Sequence, residues 1–463
     1  MNVVLIVLDT TRADHLSCYG YRRKTSPNID KLLADKGVLF LNDHQTNVPT
    51  QPGHTSFLTG QRGETSGIVS HQDPALDDNI PVLPEILAKH GYKTCAVSTL
   101  YSMRKWFARG FQYYMNPVAG NPIRLQQVDA DEINDMAIPW IKQNREKKFF
   151  MYVHYWDPHT IYNPPAKYKS LYYKGDPTDP NNRSLEPLKK QIVWPFQRKL
   201  LMRIEPYGEK ITDLEYVIAQ YDGEINYVDE KVGELLNTLE EVDVADDTMV
   251  VLTSDHGEAL GEHNMFFEHG DVYEHTIRVP LIIKFPQMIP EGKKIDALVQ
   301  GIDIPATILD VLGIPKPEEF EGMSLLPLIN GEKEEGYSES YTSVCHWSAK
   351  RTIITKEGWK LIRTIEPGVW KTPIIELFNL KKDPEEKHNL ANQEKDIAYQ
   401  LDAQMSRWLQ SKLGPRPDPV RLVSKDMRNK YLKQREKEWR ELGDIATYEE
   451  LRKSLDYPGY YDL

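Results

Sequence analysis

Short apolar, β-rich runs recur along the chain at Val3–Leu8, Thr94–Ser98, Phe149–Tyr155, Met249–Thr253 and Val279–Phe285, with amphipathic segments between them. Runs that are apolar at nearly every position suit strands buried on both faces, and their alternation with helical segments is the pattern of a mostly parallel sheet covered by helices. The expected class is α/β. The clearest helix spans about 211–240, where Leu214, Val217, Tyr221, Ile225, Val228, Val232, Leu235 and Leu239 keep the α-helical period on one face. That stripe reads as core.

The 463 residues are enough for a large domain with an appendage. We expect a catalytic α/β domain over 1–335, a smaller α+β unit over 336–412 and a charged tail over 413–463. A Pro-, Tyr- and Lys-rich stretch at about 163–210 breaks the periodicity and reads as a long insertion, the kind of loop that often carries function. A hairpin with Glu357-Gly358 at its turn is expected near 351–364, and the tail reads as a solvated helix because Lys433 to Glu438 is almost wholly charged. Hydrophobic residues at 40% and charged residues at 27% exclude a disordered or membrane-embedded chain. A net charge of -12 disfavours nucleic acid as the main partner and an anionic membrane surface. Cys18, Cys95 and Cys345 are too few and too scattered for a disulfide framework, which fits the cytoplasm. With no basic leader and no long apolar run, neither a targeting signal nor an anchor is expected. The sequence leaves a homo-oligomer open.

Three runs end on carboxylates: Val3–Leu8 leads into Asp9, Phe149–Tyr155 into Asp157, and Met249–Thr253 into Asp255-His256. Ligands of open parallel sheets bind beyond the carboxyl ends of the strands, so these acids are expected to share one crevice. Clustered acids repel unless a cation joins them. Aspartate with histidine suits Zn or Mn better than an all-oxygen Ca site, so one or two divalent ions are expected, with Mg or Ca as alternatives.

The segment Thr50-Gln-Pro52-Gly-His54, followed by Leu58-Thr59-Gly60, makes the reading specific. Together with Asp9 to Gly20 and Asp255-His-Gly-Glu-x-Leu-Gly-Glu-His263, it resembles the sulfatase-like part of the alkaline phosphatase superfamily. Tyr273-Glu274 to Leu281, Asp303 to Leu309 and Glu376 to Leu390 agree in order and spacing, so the resemblance covers residues 1 to about 412. It implies a first metal site of Asp9, Thr50, Asp255 and His256. It also implies a second site at His269, with Asp157 and His159 completing it or His159 protonating the leaving group. His71 stands where relatives supply an Asn that contacts phosphate, and His54, His154 and His263 are donors to the site or satisfied core groups.

The departures direct the chemistry. Sulfatases of this family carry Cys or Ser at the position of Thr50, converted to formylglycine, and Arg at the position of His54. Thr cannot form that aldehyde, whereas Thr-x-Pro-x-His resembles the nucleotide pyrophosphatase/phosphodiesterase branch, in which the hydroxyl attacks phosphorus. The family's second Asp is Thr10 here, which removes an anionic ligand and disfavours calcium. The expected activity is metal-dependent hydrolysis of a phosphodiester or phosphonate monoester, with Thr50 as nucleophile, His54 and His159 in catalysis, His71 and His159 on substrate, and a small anionic ester as partner. The alternatives are a sulfatase and an inactive relative acting as a binding protein.

Overall fold

The computed structural model of the protein describes residues 1–118, 124 and 126–455, so the end of the tail, 456–463, lies outside the described residues. Its centre is an eight-stranded sheet. Across it run Lys293–Gln300, Val38–His44, Arg278–Lys284, Thr248–Thr253, Asn2–Leu8, Phe149–Tyr155, Lys93–Val97 and Tyr113–Met115. Arg278–Lys284 is antiparallel to both neighbours, and the other pairings are parallel.

The unbroken apolar runs are explained by burial on both sides. Val3, Leu5 and Val7 pack into one core with Phe57, Ile304 and Ile308, while Val4, Ile6 and Leu8 pack into another with Val228, Val232 and Leu235. Consecutive strand residues point to opposite faces, and each face is covered by helices, among them Thr50–Thr59 on one side and the 28-residue Leu214–Glu241 on the other. Each such side chain taken fully from water stabilises the fold by about 1.5–3 kcal/mol, so polar substitutions in these strands are poorly tolerated.

A second, five-stranded sheet orders Ile375–Asn379, Trp359–Glu366, Ala349–Thr355 and Glu339–Cys345, and ends on the two-residue strand Asn47–Val48. Asn47 and Val48 pair in parallel with Ser343 and Val344. The segment leading into Thr50 is thereby stitched to Glu339–Cys345 in the first hairpin of the second sheet. The expected turn at Gly358 is present, and a positive φ of 89° there suits glycine.

The solvated reading of the tail does not hold over 419–455. Pro419–Ser424, Met427–Leu442 and Ile445–Leu455 are helices whose Val420, Tyr431, Leu432, Trp439 and Tyr448 join a core with Ile192, Trp347 and Phe378. Trp439 donates its indole N–H to the Ile192 carbonyl at 2.8 Å. The expected insertion forms short helices at Ala166–Lys169, Glu186–Lys189 and Trp194–Leu201, against which these C-terminal helices pack. Among the described residues no helix is long and apolar enough to cross a membrane.

Candidate active site

Two of the three strand-end carboxylates converge. Asp9 follows Asn2–Leu8 directly, its amide still bonded to the Tyr155 carbonyl at 2.9 Å, and Asp255 lies two residues beyond Thr253 on the adjacent strand. Both are fully buried. Asp255 Oδ1 accepts from the amides of His256 at 3.0 Å and Thr10 at 3.3 Å. Thr10 holds a φ of 52°, strained for a β-branched residue, and its carbonyl accepts from the Tyr221 hydroxyl at 2.7 Å. That strain lies in the turn connecting Asp9 to the helices beyond.

Thr50 opens the helix Thr50–Thr59, where the free amides of a first turn make the surroundings electropositive. All ten residues of this helix are buried, and helical spacing puts Thr50 and His54 on one face. Gly53 permits the approach: a Cβ there would lie 3.0 Å from the Asp255 carbonyl oxygen and 3.2 Å from its Cβ. Thr50, only 2% exposed, places Oγ1 3.2 Å from His256 Nε2. His256 Nδ1 lies 2.9 Å from the Gly257 carbonyl, which can only accept. That contact fixes the proton on Nδ1 and leaves the Nε2 lone pair facing Thr50.

Buried atoms without hydrogen-bond partners gather in a candidate cation site. Asp9 Oδ1, Asp255 Oδ2 and His54 Nε2 are all in this state, and Asp9 forms possible ligand groups with Asp255 and His256 and with His54 and His154. Orphaned carboxylate and imidazole atoms gathered in a dry interior fit a divalent ion. Burial first, and then the charge of Asp255, pushes Asp9 up to about 7. Burial acts in the same direction on Asp255, but His256 and His54 outweigh it and carry that carboxyl well below its usual range. His154 Nε2 is 3.1 Å from Asp9 Oδ2, and its Nδ1 is 3.2 Å from the Ser98 hydroxyl. Burial holds His154 down to about 4, so its ring is neutral and orients Asp9 through Nε2–H. His54 Nδ1 is hydrogen-bonded to the Tyr152 hydroxyl.

The other expected residues separate into two groups. Asp157 does not join the cluster: two residues past the strand end, it turns to Glu224, and burial, reinforced by Asp129, pushes it up to about 7. It lines a 410 Å³ cavity with His159, Asp129 and Glu224. A metal group of Asp157, His159 and His269 is not present among the described residues. His269, by contrast, stacks on His256 at 4.2 Å between ring centroids, its Nδ1 3.2 Å from Glu258 Oε1, and the His159 ring lies 5.6 Å away. His71 stands further out, 5.3 Å from the ring of His346. His263 stacks on Tyr273 at 3.7 Å.

His346 carried no signal of its own in the sequence, being an isolated histidine at a hairpin turn. His154 had one: a polar residue near the end of a continuous apolar strand.

The sulfatase family pattern matches residues 1–314, and the pattern described as N-sulphoglucosamine sulphohydrolase, C-terminal, matches 261–412. The chain is similar to N-acetylglucosamine-6-O-sulfatase of Bacteroides thetaiotaomicron, at 24% identity over 84% of this chain and 82% of that protein. It is also similar to the multifunctional alkaline phosphatase superfamily protein PehA of Trinickia caryophylli, at 27% identity over 86% of this chain and 92% of that protein. Among solved structures, the phosphonate monoester hydrolase of Agrobacterium radiobacter superposes with a TM-score of 0.69 at 21% identity, covering 89% of this chain and 95% of its own. The family match extends over two thirds of the sequence and takes in Asp9, Thr50 and Asp255-His256. The chain is a member of the sulfatase family within the alkaline phosphatase superfamily, whose members are metal-dependent hydrolases.

Proposed function

We propose that this chain hydrolyses phosphoesters, a phosphodiester or phosphonate monoester, with Thr50 as nucleophile. The observation that carries the reading is the Thr50 hydroxyl, which cannot be converted to formylglycine, 3.2 Å from the imidazole of His256 beside two buried carboxylates. Asp9, Asp255, His54 and His256 would hold a divalent ion, Zn or Mn by donor type. Such an ion supplies charge that lowers the hydroxyl's pKa and offsets the negative charge of the reacting group.

The protein's own groups do the rest. The N-terminus of the helix Thr50–Thr59 supports negative charge on the non-bridging oxygens. The Thr50 hydroxyl gives up its proton to solvent, Oγ1 attacks phosphorus, the P–O bond to the alcohol breaks, and His159 is assigned to give that oxygen a proton. Water then cleaves the phosphothreonine, returning the hydroxyl. His71 and His269 are assigned to the substrate side of the site. The alcohol released is part of a small anionic ester. The unpaired thiols of Cys18, Cys95 and Cys345 support a cytoplasmic setting.

A sulfatase reading is favoured by relatives such as N-acetylglucosamine-6-O-sulfatase. It is disfavoured by Thr50, which cannot supply the formylglycine hydrate. Thr50→Ala should lower phosphoester turnover by about 10,000-fold or more with metal content unchanged, and Thr50→Ser should retain part of it. Unchanged turnover by Thr50→Ala would remove Thr50 as nucleophile.

A further inference from the structure

From Thr50 outward the site opens along a column of imidazoles. His256, against Thr50, stacks on His269 at 4.2 Å and 27°, and His269 stacks on His346 at 5.5 Å and 10°. His71 meets His346 edge-on at 5.3 Å. The inner members are buried, whereas His346 and His71 are partly exposed. His346 sits on the turn between Glu339–Cys345 and Ala349–Thr355, the hairpin of the second sheet nearest the catalytic edge.

The ground beyond the column is cationic. Arg104 donates to the His71 carbonyl, and Lys430, from the C-terminal helix Met427–Leu442, donates to Gln72 Oε1 at 2.7 Å. Neither cation has a carboxylate partner among the described residues. Asp73, the acid within electrostatic reach of Arg104, is turned inward and accepts from the amides of Val69 and Ser70. In a chain of net charge -12, two cations that make no direct ion pair among the described residues and converge on one short segment favour an external negative charge.

The position fixes which part of the ligand this is. Non-bridging oxygens of an ester attacked by Thr50 stay within reach of His256 and His269. His346 lies one ring further out, so it meets the alcohol portion. We propose that His346, Arg104 and Lys430 form a second anion subsite, so that the preferred substrate carries a further anionic group, such as a carboxylate, on the alcohol side of its scissile bond. This deepens the reading of the site as a phosphoester hydrolase and rests on it for the orientation of the ester. Neutral imidazole and two unpaired cations donate hydrogen bonds to a carboxylate that water must otherwise supply.

The test compares binding of phenylphosphonate and 4-carboxyphenylphosphonate, uncleavable analogues of aryl phosphates in which the P–C bond stands for the scissile P–O bond, to full-length, Mn²⁺-supplemented protein by titration calorimetry. Wild type should bind the carboxylated compound at least tenfold more tightly. Lys430→Gln and His346→Gln, with melting temperatures checked against wild type, should each lose most of that preference and keep their affinity for phenylphosphonate. Equal binding of the two compounds by wild type, binding of neither, or equal losses for both in the variants would overturn the subsite. Selective binding of the carboxylated compound by a protein that turns over no phosphoester would leave the subsite standing and fault the reaction assignment alone.

Discussion

His54 Nε2 stands 3.3 Å from Asp255 Oδ2, and neither atom has a hydrogen-bond partner. An imidazole nitrogen and a carboxylate oxygen at this separation in a dry interior, without a well-formed hydrogen bond between them, stand as two ligands of one shared cation would. The same residue marks this chain's departure from sulfatases, which carry Arg there. An imidazole can be a ligand where a guanidinium can only be a counter-charge, and the proposed phosphoryl transfer rests on both departures, His54 and Thr50.

His154 tests how that site is held. It touches Asp9 through Nε2 and Ser98 through Nδ1, and is not needed as a ligand once His54 and His256 serve. His154→Ala should weaken metal affinity by about 10- to 100-fold, measured by competition with a chromogenic chelator, and leave the fold intact. No change in affinity would show that Asp9 needs no support.

Metal removal should make stability depend on pH in a definite direction. Asp9 in the folded chain is pushed up to about 7, above its ordinary 3.8, by burial and by Asp255. Because the folded-state value is the higher one, the metal-free fold holds this proton more tightly than the unfolded chain does. Stability from this group is therefore greatest below the unfolded value and falls as pH rises towards 7. With metal chelated, wild type should lose melting temperature relative to Asp9→Asn between about pH 5 and 7, and the difference should vanish below about pH 4. A gap that widens towards acid pH would contradict the assignment.

The C-terminal helices are part of the fold, and Trp439 carries the clearest test. It is buried against Ile192 and the segment that holds Trp347, with Arg435 over the rings of Phe196 and Trp347 at 5.0 and 4.6 Å. Trp439→Ala should destabilise the protein by about 3–5 kcal/mol in urea titration. A loss below about 1 kcal/mol, the level of an exposed substitution, would restore the solvated tail.

What the sequence made legible follows from local rules. Asp9 and Asp255-His256 were readable because each follows a continuous apolar run, and strand order then brings them together. Asp157 follows the same rule in sequence and stands, like Asp255, two residues beyond its last ladder pair, but its carboxyl turns to Glu224 instead of to Asp9. Val38–His44 escaped notice as a strand because Asp43 and His44, both buried, interrupt its apolar pattern. Both Asp43 oxygens lack hydrogen-bond partners, and burial, with the charge of Asp303, raises that carboxyl well above its usual range and so favours its neutral form. In the C-terminal helix, charge hid a helical stripe of Tyr431, Leu432, Arg435 and Trp439, and Arg435 is buried by stacking on aromatic rings that lie far away in sequence.

The most direct measurement of the central claim compares kcat/KM of the metal-loaded enzyme on three esters of 4-nitrophenol: a phosphodiester, a phosphonate monoester and the sulfate. With one leaving group throughout, differences report the group that Thr50 attacks. The account predicts that at least one phosphorus ester is cleaved 100-fold or more faster than the sulfate, and that Thr50→Ala abolishes this activity. Faster cleavage of the sulfate than of both phosphorus esters would contradict it.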